Sequence, residues 1–370
     1  MTDIRTKAAV LSAVLPDPAN PLAMAMRSLG PALAWECFTE GHPSIPEAAR
    51  ARWRRCDPTL MVDRGHAAGA RIVIPEDAEW PVQLDALGPQ RPWALWVRGA
   101  AFSQLARTRS VAVVGARSCT AYGERVAAEL AATLAGSNHP VVSGGAYGID
   151  AAAHRGALAV DGITCSVLAS GVDVAYPAAH SALFERIAGT GALVSEAAPG
   201  AHPTKPAFLV RNRLIAALTY GTVVVEARLR SGSYSTYSHA RSLGRTLMAV
   251  PGPVDSAESA GPHALLREDA QLVTCAEDVI SLIAPIGTVM SEPERAKTEW
   301  DTLAPAERIV HEAMPARSAV TIDELLVRTD GPLAVPELLA ALATLARRGI
   351  LAEQPDGRWR RTRRLRGAAA

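Results

Sequence analysis

Residues 111–123 read Val-Ala-Val-Val-Gly-Ala-Arg-Ser-Cys-Thr-Ala-Tyr-Gly, VAVVGARSCTAYG, and this stretch decides the fold. Val111–Val114 is a short continuous apolar run, the signature of a strand buried on both faces. Gly115 ends it. Thr120 then reads as the N-cap of a helix reaching Leu134, with Glu124 and Glu129 on its polar side. A strand that turns through glycine into a helix offers an anion unpaired N–H groups and the positive end of a helix dipole. A dinucleotide loop would carry a second glycine where Arg117 stands, and an acid about 20 residues later for a ribose. Here the next strand ends in Ser143-Gly144-Gly145 instead, and the mononucleotide pattern G-x-x-x-x-G-K-[ST] is missing. Arg117 adds a fixed charge and a forked donor. The loop therefore looks built for a phosphate other than a cofactor's.

Working outward, apolar strands alternate with helices. Strands are predicted at Val111–Val114, Val141–Ser143, Ile163–Leu168, Ala192–Ser195, Thr222–Val225 and Thr246–Val250, the last closing the series. Helices are predicted over 120–134, 148–158, 178–187, 212–218 and 233–243. Such alternation means an α/β domain over residues 76–285, with an extended, Rossmann-like, doubly wound and mostly parallel sheet covered on both faces. Before it, Ala8–Leu15, Leu22–Leu29 and Ala32–Phe38 suggest a small helical domain at 1–75, of the SAM or helix-hairpin-helix kind. After a polar linker at 286–299, three helices (304–312, 322–327, 336–348) and a hairpin around Pro355-Asp356-Gly357 suggest a winged-helix-like domain at 300–370. Its third helix has Glu337 near the start and Arg347 and Arg348 only at the end, a poor major-groove reader. The basic tail, Arg358, Arg360, Arg361, Arg363, Arg364 and Arg366, could hold phosphates unspecifically or simply be solvated.

Composition narrows the class. The chain has 370 residues, 49% hydrophobic and 20% charged, which is globular rather than disordered. Its formal net charge is +1, so nucleic-acid binding would need a local patch. Lysine occurs only at Lys7, Lys205 and Lys297; the other 35 of its 38 basic residues are arginine, which weakens the meaning of any lone arginine. Cys37, Cys56, Cys119, Cys165 and Cys275 are scattered, without a C-x-x-C pair, so neither a zinc site nor a disulfide framework is expected. The N-terminus does not read as a signal peptide, and no apolar run reaches the roughly 20 residues of a membrane span. A cytoplasmic protein that does not contact membranes is expected.

In an open α/β sheet, ligands bind at the carboxyl ends of the strands. Gly115-Ala116-Arg117-Ser118 and Thr120 lie there, as do Ser143-Gly144-Gly145-Ala146-Tyr147-Gly148. Two glycine turns side by side favour an anion site. Arg211-Asn212-Arg213 would complete a basic pocket beside Arg117. Ser231-Gly232-Ser233, following Arg228 and Arg230, would add a hydroxyl-rich helix start. Chemistry is less visible. Asp150 and His154 share a helical face, and Glu196 and Glu226 stand at strand ends, but no nucleophile has an evident partner and no metal spacing appears. No catalytic residue and no cofactor are assigned.

These motifs, in this order, resemble the DNA-processing protein A family (DprA, also called Smf) from Trp80 to about Val279. The resemblance is carried by Trp80-Pro81-x-x-Leu84, Leu95-Trp96-Val97-Arg98-Gly99, the two glycine loops, Gly171-Val172-Asp173-x-x-Tyr176-Pro177, Ser195-Glu196, Arg211-Asn212-Arg213, Glu226-Ala227, Ser231-Gly232-Ser233 and Ala249-Val250-Pro251-Gly252-Pro253. It implies a homodimer that binds and protects single-stranded DNA and loads the RecA recombinase in natural transformation. It also implies that Arg117 and the second glycine loop hold phosphates, with Arg211 and Arg213 in support. Tyr147 departs from the family's usual lysine or arginine, and a tyrosine there could stack on a base. Tyr234-Ser235-Thr236-Tyr237 and Arg267-Glu268-Asp269-Ala270 depart as well. The alternative is a Rossmann-type nucleotide-processing enzyme, phosphoribohydrolase-like, using Glu196 or Glu226.

Overall fold

The structure, a computed structural model, describes residues 2–229, 231–285, 299–329 and 333–362. Residues 286–298 of the linker predicted at 286–299, Arg230, and the tail residues Arg363, Arg364 and Arg366 lie outside the described residues. Two compact units divide the chain near residue 290.

The first unit opens with four helices, α1 (Ile4–Val14), α2 (Pro21–Thr39), α3 (Glu47–Arg55) and α4 (Pro58–Ala67). Asp3 caps α1 by accepting from the Arg5 and Thr6 amides. The predicted segments Leu22–Leu29 and Ala32–Phe38 are the two halves of α2, which breaks where Gly30 takes φ +79° ahead of Pro31. Then come β1 (Ala70–Val73), β2 (Leu95–Arg98), α5 (Phe102–Leu105), β3 (Val111–Val114), α6 (Ala121–Gly136), β4 (Val141–Ser143), α7 (Ile149–Ala159), β5 (Thr164–Val167), α8 (Ser181–Thr190) and β6 (Ala192–Ser195). The unit continues with α9 (Lys205–Leu218), β7 (Gly221–Val224), α10 (Ser233–Ser242), β8 (Thr246–Ala249), α11 (Ala260–Glu268), β9 (Gln271–Leu272) and α12 (Ala276–Ile283).

The strands form one sheet in the order β1-β2-β6-β5-β4-β3-β7-β8-β9. From β6 through β9 every pairing is parallel; β2 runs antiparallel to β6, and β1 antiparallel to β2. Strand period sets the two layers. Val111 and Val113 point into a cluster with Ala127, Leu130 and Leu134 of α6, Ala153 of α7 and Val279 of α12. Ala112 and Val114 point to the opposite face, among Leu214 and Leu218 of α9 and Tyr237 of α10. In α6 the buried Ala127, Leu130, Ala131 and Leu134 recur at helical spacing, and Thr120 caps it by accepting from the Gly123 N–H. The sheet is thus doubly wound. Leu11 of α1, Met26 and Phe38 of α2, and Met61 of α4 pack with Trp96 of β2.

Three expectations change. The sheet does not close at β8, because β9 adds an exposed two-residue edge. β1 and β2 extend the other edge, with β1 lying before residue 76. Helix α9 starts at Lys205, seven residues before the predicted Asn212. Proline is tolerated in a first helical turn, so Lys205-Pro206 opens the helix, and Thr204 caps it.

The second unit holds α13 (Pro305–Ala313), α14 (Ile322–Arg328), α15 (Val335–Arg347) and a hairpin of β10 (Leu351–Glu353) and β11 (Trp359–Arg361). Thr321 and Glu324 cap α14 reciprocally. Leu338, Leu342 and Leu345 of α15 pack on Val310, Leu325 and Trp359.

Candidate functional site

Strand order reverses at β3. From it, β4, β5 and β6 run one way and β7, β8 and β9 the other. The crevice outside such a switch point is where open α/β sheets bind ligands. The first glycine loop, after β3, lies there.

Glu226, directly beyond β7, builds that loop. Its carbonyl accepts from the Ala116 N–H at 2.6 Å. Its buried carboxylate accepts from the Thr120 N–H at 2.8 Å and the Thr120 hydroxyl at 2.6 Å. Gly115 packs against the Glu226 carbonyl and Ile149. What the loop leaves outside is Arg117 and Ser118, both exposed, ahead of the α6 N-terminus. Their N–H groups have no acceptor among the described residues. The Arg117 guanidinium lies 4.9 Å from the Phe208 ring centroid.

The second glycine loop has a different interior. Asp150, in the first turn of α7, turns back and accepts from the Gly144 N–H at 3.2 Å and the Ala146 N–H at 3.3 Å. Burial raises its pKa, and the charge of Arg211 acts in the opposite direction. Arg211 is itself buried. It donates to Gly144 O at 2.8 Å, to Val167 O, and to Asn212 Oδ1 at 3.2 Å. Burial lowers its pKa to about 10, with Asp150 opposing and Arg117 reinforcing the shift. Gly144 has no side chain because a Cβ would stand 2.5 Å from that guanidinium. Gly148, at φ +74°, lets the two loops touch: a Cβ there would stand 2.2 Å from Ala116 O. Ile149 N–H donates to that same carbonyl at 3.1 Å.

Several expected contacts are therefore engaged elsewhere. The Ser143 hydroxyl donates to Val113 O at 2.7 Å inside the sheet, where a strand-end side chain points into the neighbouring layer. Arg213 does not join Arg117: two residues along a helix lie on nearly opposite sides. Its side chain is 1% exposed and pairs with Glu196 at 2.7 and 3.0 Å. Asn212 is buried and donates to Gly232 O at 3.3 Å, tying the start of α10 to α9. In that turn the Ser231 and Ser233 hydroxyls bond each other, and Ser233 is buried. Asp150 and His154 are not partners; His154 bonds Thr164 Oγ1 at 2.7 Å and is fully buried. Glu196 and Glu226 both hold structural groups, Arg213 and Thr120.

The exposed surface of the groove is aromatic. Tyr147, in the second loop, is 49% exposed and packs edge-on against His180, ring centroids 4.7 Å apart. His180 in turn meets Gly145 O at 3.0 Å. Tyr176 is 47% exposed and lies 5.6 Å from Phe208, the ring under Arg117. Lys205, one of three lysines, is exposed in the first turn of α9, one turn before Phe208. The sequence reading gave Tyr176, His180, Lys205 and Phe208 no role. The available signal was scarcity: only 5% of the chain is aromatic, yet Tyr176 and Phe208 fall in or beside motifs at strand ends. Among the described residues no group of metal-ligating side chains is found, and no helix is long and apolar enough to cross a membrane.

Comparison with known proteins finds relatives over most of the chain. Residues 71–284 match the family described as DNA recombination-mediator protein A. A putative DNA processing protein DprA of Mycobacterium tuberculosis is 45% identical, across 98% of this chain and 95% of that protein. Protein Smf of Escherichia coli is 35% identical over 77% of this chain and 76% of its own length. The X-ray structure of DprA from Streptococcus pneumoniae superposes with a TM-score of 0.66 at 29% identity, covering 76% of this chain and 98% of that one. A DprA structure from Helicobacter pylori, described for its single-stranded DNA binding mode, superposes at 0.52 with 30% identity, covering 58% of this chain and 96% of that one.

Proposed function

This chain belongs to the DNA recombination-mediator protein A family, and on that premise we propose that it binds single-stranded DNA in the switch-point groove. One observation carries the reading: Arg117 is exposed over Phe208, the exposed ring of Tyr176 meets that same Phe208, and the exposed ring of Tyr147 stands on the second loop, which touches the first. A strand without a partner offers what such a surface takes, phosphates to a cation and to free amides, and bases to ring faces. Arg117, Ser118 and the α6 N-terminus take a phosphate; Tyr147 and Tyr176 take bases. The second loop and Arg211 act by holding Arg117 and Tyr147 in place. No reaction is assigned to the groove, because both strand-end carboxylates are engaged in holding the loops and helices. In keeping with the family, the bound strand is protected and passed to the RecA recombinase by a homodimer in the cytoplasm.

The test is fluorescence anisotropy with a labelled oligo-dT strand across a salt series. Arg117→Ala is expected to weaken binding about tenfold and to flatten the log–log salt slope by about 0.7, the loss of one phosphate contact. Unchanged affinity and slope would remove Arg117 from the interface.

A further inference from the structure

Helix α3 carries charge that the groove does not explain. Its nine residues hold four arginines, Arg50, Arg52, Arg54 and Arg55, against one acid, Glu47, in a chain whose formal net charge is +1. Arg54 pairs with Glu47. Arg52 and Arg55 are exposed and have no carboxylate within 4.0 Å among the described residues. Their partners are carbonyls: Arg52 donates to Val14 O at 2.7 Å, and Arg55 to Ala51 O of its own helix at 3.1 Å. Nearby acids are engaged elsewhere. Asp57, next along the chain, caps α4 by accepting from the Thr59 and Leu60 amides. Asp17 accepts from the Ala19 N–H at 3.0 Å. A helix dipole favours cations in a last turn, but it does not withhold their counter-charges. On the inner side of α3, Trp53 stacks on Phe38 at 4.9 Å and meets Trp35 edge-on at 4.6 Å, so the arginines stand on an anchored helix.

A depression connects this helix with the groove. Between α1 and α9 lies a cavity of about 180 Å³, with Ala13 and Pro16 on one side and Ala207, Val210 and Leu214 on the other. Ala207 directly precedes Phe208, the ring under Arg117. Pro16 also lines a second cavity, of about 320 Å³, whose walls include Leu15, Pro46, Ala49 and Arg52. The two cavities thus meet at Pro16, and the second ends at an arginine. Each has one acid in its lining, Glu196 in the first and Asp17 in the second, and Arg213 already takes both oxygens of Glu196. Apolar walls that lead to guanidinium groups without counter-charges suit bases followed by phosphates, because a guanidinium takes phosphate oxygens in pairs.

We propose that single-stranded DNA leaving the groove crosses the depression between α1 and α9 and brings further phosphates to Arg52 and Arg55 of α3. The N-terminal helices are then a second DNA contact, which only longer strands reach. The path rests on DNA binding at Arg117.

Fluorescence anisotropy of the full chain with oligo-dT strands of about 6 to about 30 nucleotides tests it. The double variant Arg52→Ala, Arg55→Ala is expected to leave the shortest bound strand unaffected and to weaken the longest about fivefold or more. It should also flatten the salt slope of the longest by about 1.4, the loss of two single-strand phosphate contacts. Arg55 meets only its own helix, so Arg55→Glu serves if the double variant does not fold, with the same length dependence. Affinity unchanged at every length overturns the path. So does a loss as large for the shortest strand as for the longest, which would trace to the groove or the fold. Arg107→Glu, exposed at the opposite, amino edge of the sheet, should change little; a loss matching that of Arg55→Glu would reflect overall charge and overturn the path as well. Arg117→Ala should weaken strands of every length. If it does so while the α3 variants change nothing, only the path fails; if Arg117→Ala changes nothing, the groove reading fails and the path with it.

Discussion

After β3 the chain presents Arg117 and Ser118 to solvent, whereas after β4 it turns its amides inward onto Asp150. The two turns look alike in sequence, each a glycine-rich link from a buried strand to a helix. They differ in where the following helix carries its acid. Asp150 is the second residue of α7 and reaches back into its own loop, filling the cradle that an outside phosphate would occupy. Glu124 is the fourth residue of α6 and extends along the surface towards Arg155, 3.8 Å away. Glu226 takes the Ala116 and Thr120 amides of the first loop, and those of Arg117 and Ser118 are left for a ligand. A glycine loop at a helix start offers an external anion only the amides that no internal acceptor takes first.

Exchanging the two arginines tests this contrast most strongly. Arg211→Ala removes the cation facing buried Asp150 and is expected to lower stability by about 3–5 kcal/mol in urea unfolding. Arg117→Ala, on the surface, should stay within about 0.5 kcal/mol of the parent while losing DNA affinity. If Arg211→Ala unfolds like the parent and fails only in binding, the second loop is an outward site after all. The contact that joins the loops comes next. Gly148→Ala brings a Cβ against Ala116 O at a positive φ and is expected to cost about 3 kcal/mol. A smaller loss would mean that the loops part easily and hold no common geometry.

A pH series sharpens the same picture from inside α7, one turn beyond Asp150. Burial pulls the His154 pKa down to about 3, with His180 and Arg211 adding to the effect. Its folded pKa lies below its unfolded value near 6.5, so the unfolded chain binds the extra proton as pH falls. Stability present above pH 6.5 is then lost on acidification towards 3, at up to about 1.4 kcal/mol per pH unit. His154→Gln should reduce that slope in urea midpoints measured between pH 6.5 and 4.5. An unchanged slope would show that His154 is not kept neutral by the packing behind the second loop.

Much of this was legible in the sequence because the signals are local. β3, β4 and β6 stand at the residues their apolar runs indicate, and Thr120 caps α6 as its position before the helix suggests. β1, β2 and β9 were missed: β1 is a half-buried edge strand and β9 an exposed two-residue edge, so neither carries a continuous apolar run, whereas the buried Leu95-Trp96-Val97 of β2 does and was read only as a motif. Arg117 was placed correctly at the carboxyl edge of the sheet. Arg213 was not, because its partner Glu196 lies at the end of another strand, and pairing across 17 residues leaves no mark in spacing.

By itself, then, the sequence determined the strand–helix alternation, the position of both glycine loops and the family, since each rests on residues close together in the chain. Only the tertiary structure decided which polar groups are spent and which are free. Glu226 closes one loop from beyond the end of β7, Asp150 fills the other, and Arg27 meets Glu196 from a helix 169 residues away. Charge and hydrogen-bonding act through space over a few ångströms, and chain order carries no record of those distances.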